Sequence, residues 1–87
     1  MKLTNGATVL RASINFERGD VPTAVVLAKR GDFEFVTWNA YLRKGETEWD
    51  AEVGHYFNIR EPIENASNIE IAHDEALADF HERTARR

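Results

Sequence analysis

Three histidines, at positions 55, 73 and 81, are the side chains best suited to acid–base or metal chemistry. His73 and His81 are eight residues apart, which on a helix is about two turns plus 80°, so they do not share one helix face. Neither an HExxH motif nor a comparable metal-binding spacing accompanies them. The sequence therefore predicts no metal site, with His73 near a helix start and His81 on the surface.

His55 alternates with apolar residues, which is typical of a hydrogen-bonded histidine on a covered strand face. Catalysis would need a nucleophile or a carboxylate beside it, and Ser13, Thr37 and Glu52 qualify by residue type alone. No GxSxG, P-loop or GxGxxG motif occurs. We expect no enzyme and no cofactor, and a small hydrolase centred on His55 is the least favoured alternative.

Segment 46–52 surrounds an indole with carboxylates at alternating positions. Its members are Glu46, Glu48, Trp49, Asp50 and Glu52. On a strand the four carboxylates point the same way, about 6–7 Å apart. Such a row could face lysines and arginines of another protein or imitate a row of phosphates. The alternative is a solvated outer face with the indole pointing inward.

Aromatic residues of the predicted sheet offer a second candidate surface. They are Trp38, Tyr41, Trp49 and Tyr56. If several share an open sheet face, they could stack single-stranded nucleic acid. The basic-Gly-aromatic motif of sheet-based RNA readers is absent, and a formal net charge of −4 opposes phosphate binding. Ordinary core packing and a protein-interaction patch are the alternatives.

Length and composition limit the class of protein. The 87 residues, 43% hydrophobic and 30% charged, are typical of one soluble globular domain spanning residues 1–87. Cysteine is absent, which excludes disulfides and thiolate metal sites. No run of 18 apolar residues and no apolar signal core occur, so we expect no membrane association and a cytoplasmic location. Residues 46–82 carry one basic and eleven acidic side chains, and this block could meet a basic partner.

Period-two alternation predicts four strands, at 7–16, 23–30, 33–41 and 49–59. The predicted inward residues of the first strand are Leu10, Ala12, Ile14 and Phe16. Gly31-Asp32 predicts a two-residue type II′ hairpin. The third strand is apolar on both faces, which indicates a central position. In the fourth strand, Trp49 and His55 share one parity, and Gly54 indicates a bulge or a close backbone approach.

An apolar stripe predicts a helix over 73–86, after a connection at 60–72 that could hold an extended piece at 69–71. The stripe consists of Ala72, Ala76, Leu77 and Phe80. Asp74 and Glu75 would then lie in the first turn and three arginines at the end, in the order that the helix dipole favours. The predicted fold is α+β: an antiparallel four-stranded β-meander with one C-terminal helix packed on one face. One helix covers one face, so we expect the other to be polar or available to a partner.

Three short elements are similar to a known group. Glu34-Phe35-Val36-Thr37-Trp38, Gly54-His55-Tyr56-Phe57 and the helical 76–83 resemble the VTW, GHYF and ADFxxR elements of short actinobacterial and actinophage proteins. The resemblance covers roughly residues 24–83, with Val53 standing where the pattern has an aromatic residue. It implies a small accessory protein of phage or prophage origin that acts inside a bacterial host cell, and it implies no catalytic residue.

The sequence therefore predicts a small non-enzymatic protein-interaction module that binds a host or phage protein. The predicted partner-binding residues are Trp38, Glu46, Glu48, Trp49, Asp50, Glu52 and Tyr56. The predicted interaction could also be self-association, in which two copies form a homodimer through an open sheet edge. The alternative is a nucleic-acid or nucleotide binder that uses the sheet aromatics.

Overall fold

The structure is a computed structural model that describes residues 1–15, 21–31, 34–58 and 66–86. Its elements are β1 (Thr8–Asn15), β2 (Thr23–Arg30), β3 (Glu34–Tyr41), β4 (Asp50–Asn58) and α1 (Ala66–Ala85). Each strand pairs antiparallel with the next, in the order β1-β2-β3-β4. Helix α1 packs against β2, β3 and β4. The predicted α+β meander with one C-terminal helix is confirmed.

One apolar cluster lies between α1 and the sheet. It contains Val25, Leu27, Phe35, Ala72, Ala76 and Phe80, with Phe57 and Leu77 partly buried beside them. The sheet members come from alternate positions of the two central strands, whose side chains point to the same face. The predicted helix stripe and the predicted central position of the third strand are both confirmed.

A second apolar cluster lies on the opposite face of the sheet. It contains Leu3, Ala24, Val26, Ala28, Val36, Trp38, Ala40 and Trp49. Trp38 and Trp49 are only 4% and 6% exposed, although no helix covers this face in the part of the chain that the structure describes. Both indoles therefore belong to the core, and this face is less available than the sequence suggested.

Residues 1–7, here called the leading segment, help to cover this second cluster. Leu3 is buried beside Trp49, and the two residues form an isolated parallel bridge. The amide of Thr4 donates to the carbonyl of Trp49 at 2.9 Å, and the amide of Trp49 donates to the carbonyl of Lys2 at 2.8 Å. Burying a leucine contributes about 1.5–3 kcal/mol, so Leu3 is the main hydrophobic contact of this segment.

Helix α1 is longer than predicted. It begins at Ala66 rather than near residue 73, so residues 69–71 are helical and the predicted extended piece is wrong. Asp74 and Glu75 consequently lie in the third turn, and the first turn has no acidic residue. The helical stripe becomes apparent only from Ala72, and the low helix propensity of Ser67 and Asn68 favours a connection when the sequence is considered alone.

Strand β1 departs from the predicted burial. Leu10 and Ile14 are each 42% exposed, and a bulge between Val9 and Arg11 makes Leu10 an extra residue in the register. Ala12 and Ile14 do share one face, but it is the face opposite α1, because they pair with Val26 and Ala24 of the second cluster. β1 is an edge strand, so on that face its side chains have a neighbouring strand on one side only, and they stay exposed.

The hairpin between β2 and β3 has one more residue than predicted. Arg30 pairs with Glu34, which leaves three residues between the strands rather than two. Gly31 has a φ of +62°, a conformation that glycine adopts without a steric penalty. Some predictions concern residues 16–20, 32–33, 59–65 and 87, which lie outside the described residues. They are the inward position of Phe16, Asp32 in the turn, the start of the third strand at residue 33 and the end of the fourth strand at residue 59. Among the described helices, none is long and apolar enough to cross a membrane.

A bulge in β4 confirms the feature predicted at Gly54. Thr37 pairs with His55 and Asn39 pairs with Glu52, so Val53 and Gly54 together face Trp38. This extra residue reverses the alternation along β4. Trp49 therefore lies in the cluster opposite α1 while His55 lies on the α1 side, so their predicted common face is wrong.

We expect Gly54→Ala to lower the free energy of unfolding by about 1–3 kcal/mol, because overpacking displaces well-packed neighbours. A Cβ atom at this position would lie 2.6 Å from Nε1 of Trp38 and 2.9 Å from the Tyr56 ring. Urea unfolding followed by tryptophan fluorescence measures the change. The exposed neighbour supplies the control, since Glu52→Ala should change the stability by less than about 0.5 kcal/mol. Equal stability of both variants would contradict the close approach.

Candidate interaction surface on the fourth strand

Val53 has an unusual backbone for a β-branched residue. Its φ is +54°, in the left-handed region where a branched Cβ meets the neighbouring carbonyl. Its side chain is 64% exposed, so burial of this side chain does not compensate for the strain. The bulge therefore presents an aliphatic side chain to solvent in a fixed position.

Tyr56 continues this exposed surface. Its side chain is 51% exposed, and its ring lies over Gly54, where an added Cβ would be 2.9 Å from two ring carbons. Trp38 meets the ring edge-on at 6.4 Å between centroids, and the guanidinium of Arg30 lies 5.9 Å from the ring centroid. Val53 and Tyr56 are the exposed hydrophobic residues of β4 on either side of Gly54, and we call these two residues together the β4 patch.

The predicted carboxylate row is divided between a strand and a loop. Asp50 and Glu52 lie in β4, whereas Glu46 and Glu48 precede it, so the four do not line one strand face. Glu46, Glu48 and Glu52 are exposed. Asp50 is partly buried, and its Oδ2 lies 3.1 Å from Nε of Arg43. Three of the four carboxylates are therefore displayed, and one is paired within the chain.

Arg43 also contacts Tyr41 at the start of the same loop. Its guanidinium donates to the Tyr41 hydroxyl at 3.4 Å and lies 5.7 Å from the ring centroid. The hydrogen bond with Tyr41 and the nearby Asp50 raise the pKa of the Arg43 guanidinium. These contacts neutralise part of the acidic segment locally.

The two indoles that the sequence analysis assigned to partner binding contribute no surface. Trp38 and Trp49 are buried in the second cluster, so they could contact a partner only after a rearrangement. Tyr56 is the exposed member of the aromatic set, and Tyr41 is partly exposed. A stacking surface built from several rings is therefore not formed in this conformation.

A polar cluster joins α1 to the bulge in β4. Its centre is Asp79, which accepts a hydrogen bond from the hydroxyl of fully buried Thr37. Nδ1 of His55 lies 3.0 Å from Oδ2 of Asp79, and Nε of Arg83 lies 3.3 Å from the same oxygen. The four side chains connect one turn of the helix to two strands.

Arg83 extends the polar cluster to the bulge itself. Its Nη2 donates to the carbonyl of Val53 at 2.8 Å, and its Nη1 donates to the amide oxygen of Asn39 at 3.3 Å. Its side chain is only 10% exposed, so these contacts lie in a partly desolvated site. Arg83 therefore helps to hold the strained residue of the β4 patch.

The Asp79 carboxylate is stabilised in its ionised form. Burial alone would raise its pKa, but the hydrogen bonds from Thr37 and His55 and the positive charge of Arg83 outweigh burial and lower the pKa. A carboxylate that orients a histidine resembles part of a catalytic triad. Here, however, the Thr37 hydroxyl bonds to the carboxylate rather than to the imidazole. The geometry serves to attach α1 to the sheet.

The other two candidates that the sequence offered as partners of His55 lie elsewhere in the sheet. Ser13 is in β1, at the sheet edge opposite β4. Glu52 is exposed and pairs with Asn39, on the other side of the bulge from His55. Within the described ranges, no three histidine, aspartate or glutamate side chains come together in a way that could hold a metal ion. His55 lies instead in a polar link between helix and sheet. Its side chain is hydrogen-bonded as predicted, but it is 53% exposed, so the predicted covered position is wrong.

Val53, Asp79 and Arg83 are residues of the candidate site that were not predicted from the sequence. A signal for the last two was present, because positions 72, 76, 79, 80 and 83 follow one helical stripe, so an Asp–Arg pair four apart continues the buried face. The exposure of Val53 depends on the bulge, for which Gly54 was the one indication in the sequence.

Comparison with known proteins adds no family. No protein-family model, no curated protein and no solved structure matches the chain.

We expect Asp79→Asn to lower the free energy of unfolding by about 1–3 kcal/mol at neutral pH, because Thr37 and Arg83 lose a charged acceptor. The lowered pKa of Asp79 also determines the direction in which the stability changes with pH. The stabilisation by Asp79 is fully present above the ordinary carboxyl pKa, and it is lost as the pH falls through the lowered value. The variant should therefore show a flatter loss of stability in acid than the parent chain.

Urea unfolding at several pH values from neutral to acid measures this difference. Asp74→Asn is the matched control, because the Asp74 side chain is 79% exposed and its contact with His73 is 3.8 Å long. If both variants have the same acid dependence, Asp79 is not the linked group.

Proposed function

We propose that this protein is a small non-enzymatic protein-interaction module and that it binds its partner through the β4 patch. The observation that carries the proposal is the solvent-exposed, strained Val53 in the same strand as the half-exposed Tyr56. Backbone strain of this kind costs about 1–3 kcal/mol and persists when the surrounding structure enforces it. A contact with a partner gives a reason for keeping a valine where glycine would fit better.

The surroundings of the β4 patch indicate the chemistry of the partner. Glu52 is next to Val53 in the strand, and Glu46 and Glu48 lie in the loop that leads into β4. An apolar contact bordered by carboxylates is suited to a protein surface that has an apolar depression flanked by lysine or arginine. Charges at the border of an interface chiefly speed association and select the partner.

The biological setting is part of the proposal and is supported by the resemblance of 24–83 to short actinobacterial and actinophage proteins. In that setting the module is an accessory protein of phage or prophage origin, and it binds a host or phage protein inside the bacterial cell. The interaction patch needs no catalytic group, which agrees with the use of His55 and Asp79 as a link between helix and sheet.

Binding of nucleic acid or a nucleotide by the sheet aromatics is less favoured. Such a surface stacks successive bases on several rings, whereas Trp38 and Trp49 are buried and Tyr56 is exposed. The test is a shift of labelled single strands with a steep dependence on salt. A shift that Tyr56→Ala abolishes would favour this alternative over the protein partner.

Val53→Gly separates binding from folding. Glycine relieves the left-handed strain while it adds flexibility to the unfolded chain, so the free energy of unfolding should stay within about 1 kcal/mol of the parent value. Loss of the aliphatic side chain should weaken partner capture at least about tenfold, as expected for a residue at the centre of an interface. Affinity capture from an actinobacterial lysate, with the captured protein identified and then titrated in purified form, measures the effect.

Ile71→Ser is the matched control, because Ile71 is 56% exposed and lies on α1 instead of β4. This variant should capture the same protein with the affinity of the parent chain. A partner that binds equally well to Val53→Gly would place the interface elsewhere and overturn the proposal for the β4 patch.

Charge reversal tests the role of the three displayed carboxylates. We expect a variant with lysine at Glu46, Glu48 and Glu52 to associate with the identified partner about tenfold more slowly at low salt, with a much smaller difference at high salt. Asp50 is left unchanged, because its pairing with Arg43 belongs to the fold. Stopped-flow or surface-binding kinetics at two salt concentrations measures the rate, and an unchanged rate would exclude electrostatic selection by this segment.

A further inference from the structure

Residues 1–5 of the leading segment are attached to the sheet around Leu3, whereas Ala7 packs separately against the second cluster. Leu3 occupies a buried position beside Trp49, and two main-chain hydrogen bonds flank it. We propose that residues 1–5 exchange between two copies of this chain, so that Leu3 of each copy fills the position beside Trp49 of the other. The proposed contact uses neither Val53 nor Tyr56, and it shares only Glu48 with the border of the partner surface proposed above.

The contacts of the leading segment can be made equally well by a second copy. They comprise one buried side chain, which belongs to the second cluster, and one parallel bridge, whose two main-chain hydrogen bonds join Lys2 and Thr4 to Trp49. An exchanged pair reproduces all of them twice, around a two-fold axis. Exchange of an identical element is for this reason a route to a dimer that needs no new surface.

A turn at Asn5 and Gly6 supplies the hinge. The amide of Gly6 donates to the carbonyl of Leu3 at 3.1 Å, and the amide of Ala7 donates to Oδ1 of Asn5 at 3.0 Å. Gly6 has a φ of +78° and no atom within 4 Å of the place where a Cβ would lie. The turn is exposed, so it can open into an extended connection, and four extended residues span about 13–14 Å.

The chemistry of the position selects this chain's own segment over an unrelated peptide. The occupant must bring a leucine-sized aliphatic group, extended backbone on both sides of it, and a charge that suits Glu48. Lys2 meets the last condition, because Lys2 precedes Leu3 as Glu48 precedes Trp49 in the parallel bridge, and both residues line the same cleft. Both residues border an open cleft of about 450 Å³ that separates the leading segment from the start of β1.

The cleft also indicates that the segment is held on one side. Its wall includes Thr8 and Val9 at the beginning of β1, as well as Met1, Leu3 and Ala7 from the segment. Packing against Trp49 therefore retains the segment, whereas the side that faces β1 leaves space. A segment fixed along one side can leave its position without first disrupting β1.

A disulfide trap tests the exchange directly, because the natural chain contains no cysteine. The variant Lys2→Cys/Glu48→Cys places one thiol on each of the two bridged segments, immediately before Leu3 and immediately before Trp49. After equilibration at increasing protein concentration, the sample is oxidised and separated without reductant. Exchange predicts dimers with two bridges between chains, each joining the thiol at position 2 of one copy to the thiol at position 48 of the other, as identified by peptide mapping. At low occupancy their share should rise about tenfold for a tenfold rise in concentration.

Deletion of Gly6 sharpens the test. A shorter connection prevents the segment from folding back onto its own chain, and strained hinges favour exchange. The deletion in the double-cysteine background should increase the share of bridged dimer several-fold. The single variants Lys2→Cys and Glu48→Cys control for chance collision, since they can form only one bridge between identical positions.

Bridges within one chain at every concentration, in both the parent hinge and the Gly6 deletion, would overturn the proposal. A second measurement does not depend on the cysteines: sedimentation of the natural chain should reveal a monomer–dimer equilibrium that deletion of Gly6 shifts towards dimer, because the shorter hinge destabilises only the closed monomer. An equilibrium that the deletion leaves unchanged would also contradict the exchange. Val53→Gly should leave the bridged share unaltered, so failure of the exchange and failure of the β4 patch give different results.

Discussion

The bulge in β4 opposite Trp38 is the constraint on which the rest of this structure depends. An indole edge occupies the space where a residue at position 54 would place its Cβ, so only glycine fits there. The extra residue reverses the alternation of β4, which sends Trp49 to one face of the sheet and His55 to the other. It also forces Val53 outward. Three features follow from this one irregularity: Trp49 joins the core of one face, His55 joins the polar link on the other, and Val53 becomes part of the candidate interaction surface.

The two faces of the sheet are completed by different means. On one face, α1 supplies apolar contacts, and the polar cluster around Asp79 fixes the helix relative to β4. Because Arg83 bonds to the carbonyl of Val53, the helix and the exposed surface are mechanically connected. On the other face, the side chains of Trp49 and Leu3 help to cover the sheet, as a second helix would do. A small domain with a single helix can therefore bury two apolar sheet faces if its flanking segments contribute large side chains.

The candidate site was only partly predictable from the sequence. Tyr56 and the carboxylates at 46, 48 and 52 could be named because residue type and alternation suffice to propose exposed groups. The two indoles were assigned to the same surface, and their burial depends on which elements cover the sheet, which alternation does not specify. Val53 was missed for a related reason. Its exposure results from a register shift between two strands, and Gly54 could indicate only that some irregularity was present.

The sequence by itself determined the number and order of the strands, the apolar stripe of the helix, and the α+β class, because periodicity and turn chemistry are local properties. Tertiary structure alone decided where α1 begins, which strand the helix leaves uncovered, and how Leu3 meets Trp49. It also decided that Asp79, His55 and Arg83 meet in one cluster. These features depend on contacts between residues far apart in the chain, and no local pattern contains the geometry that brings such residues together.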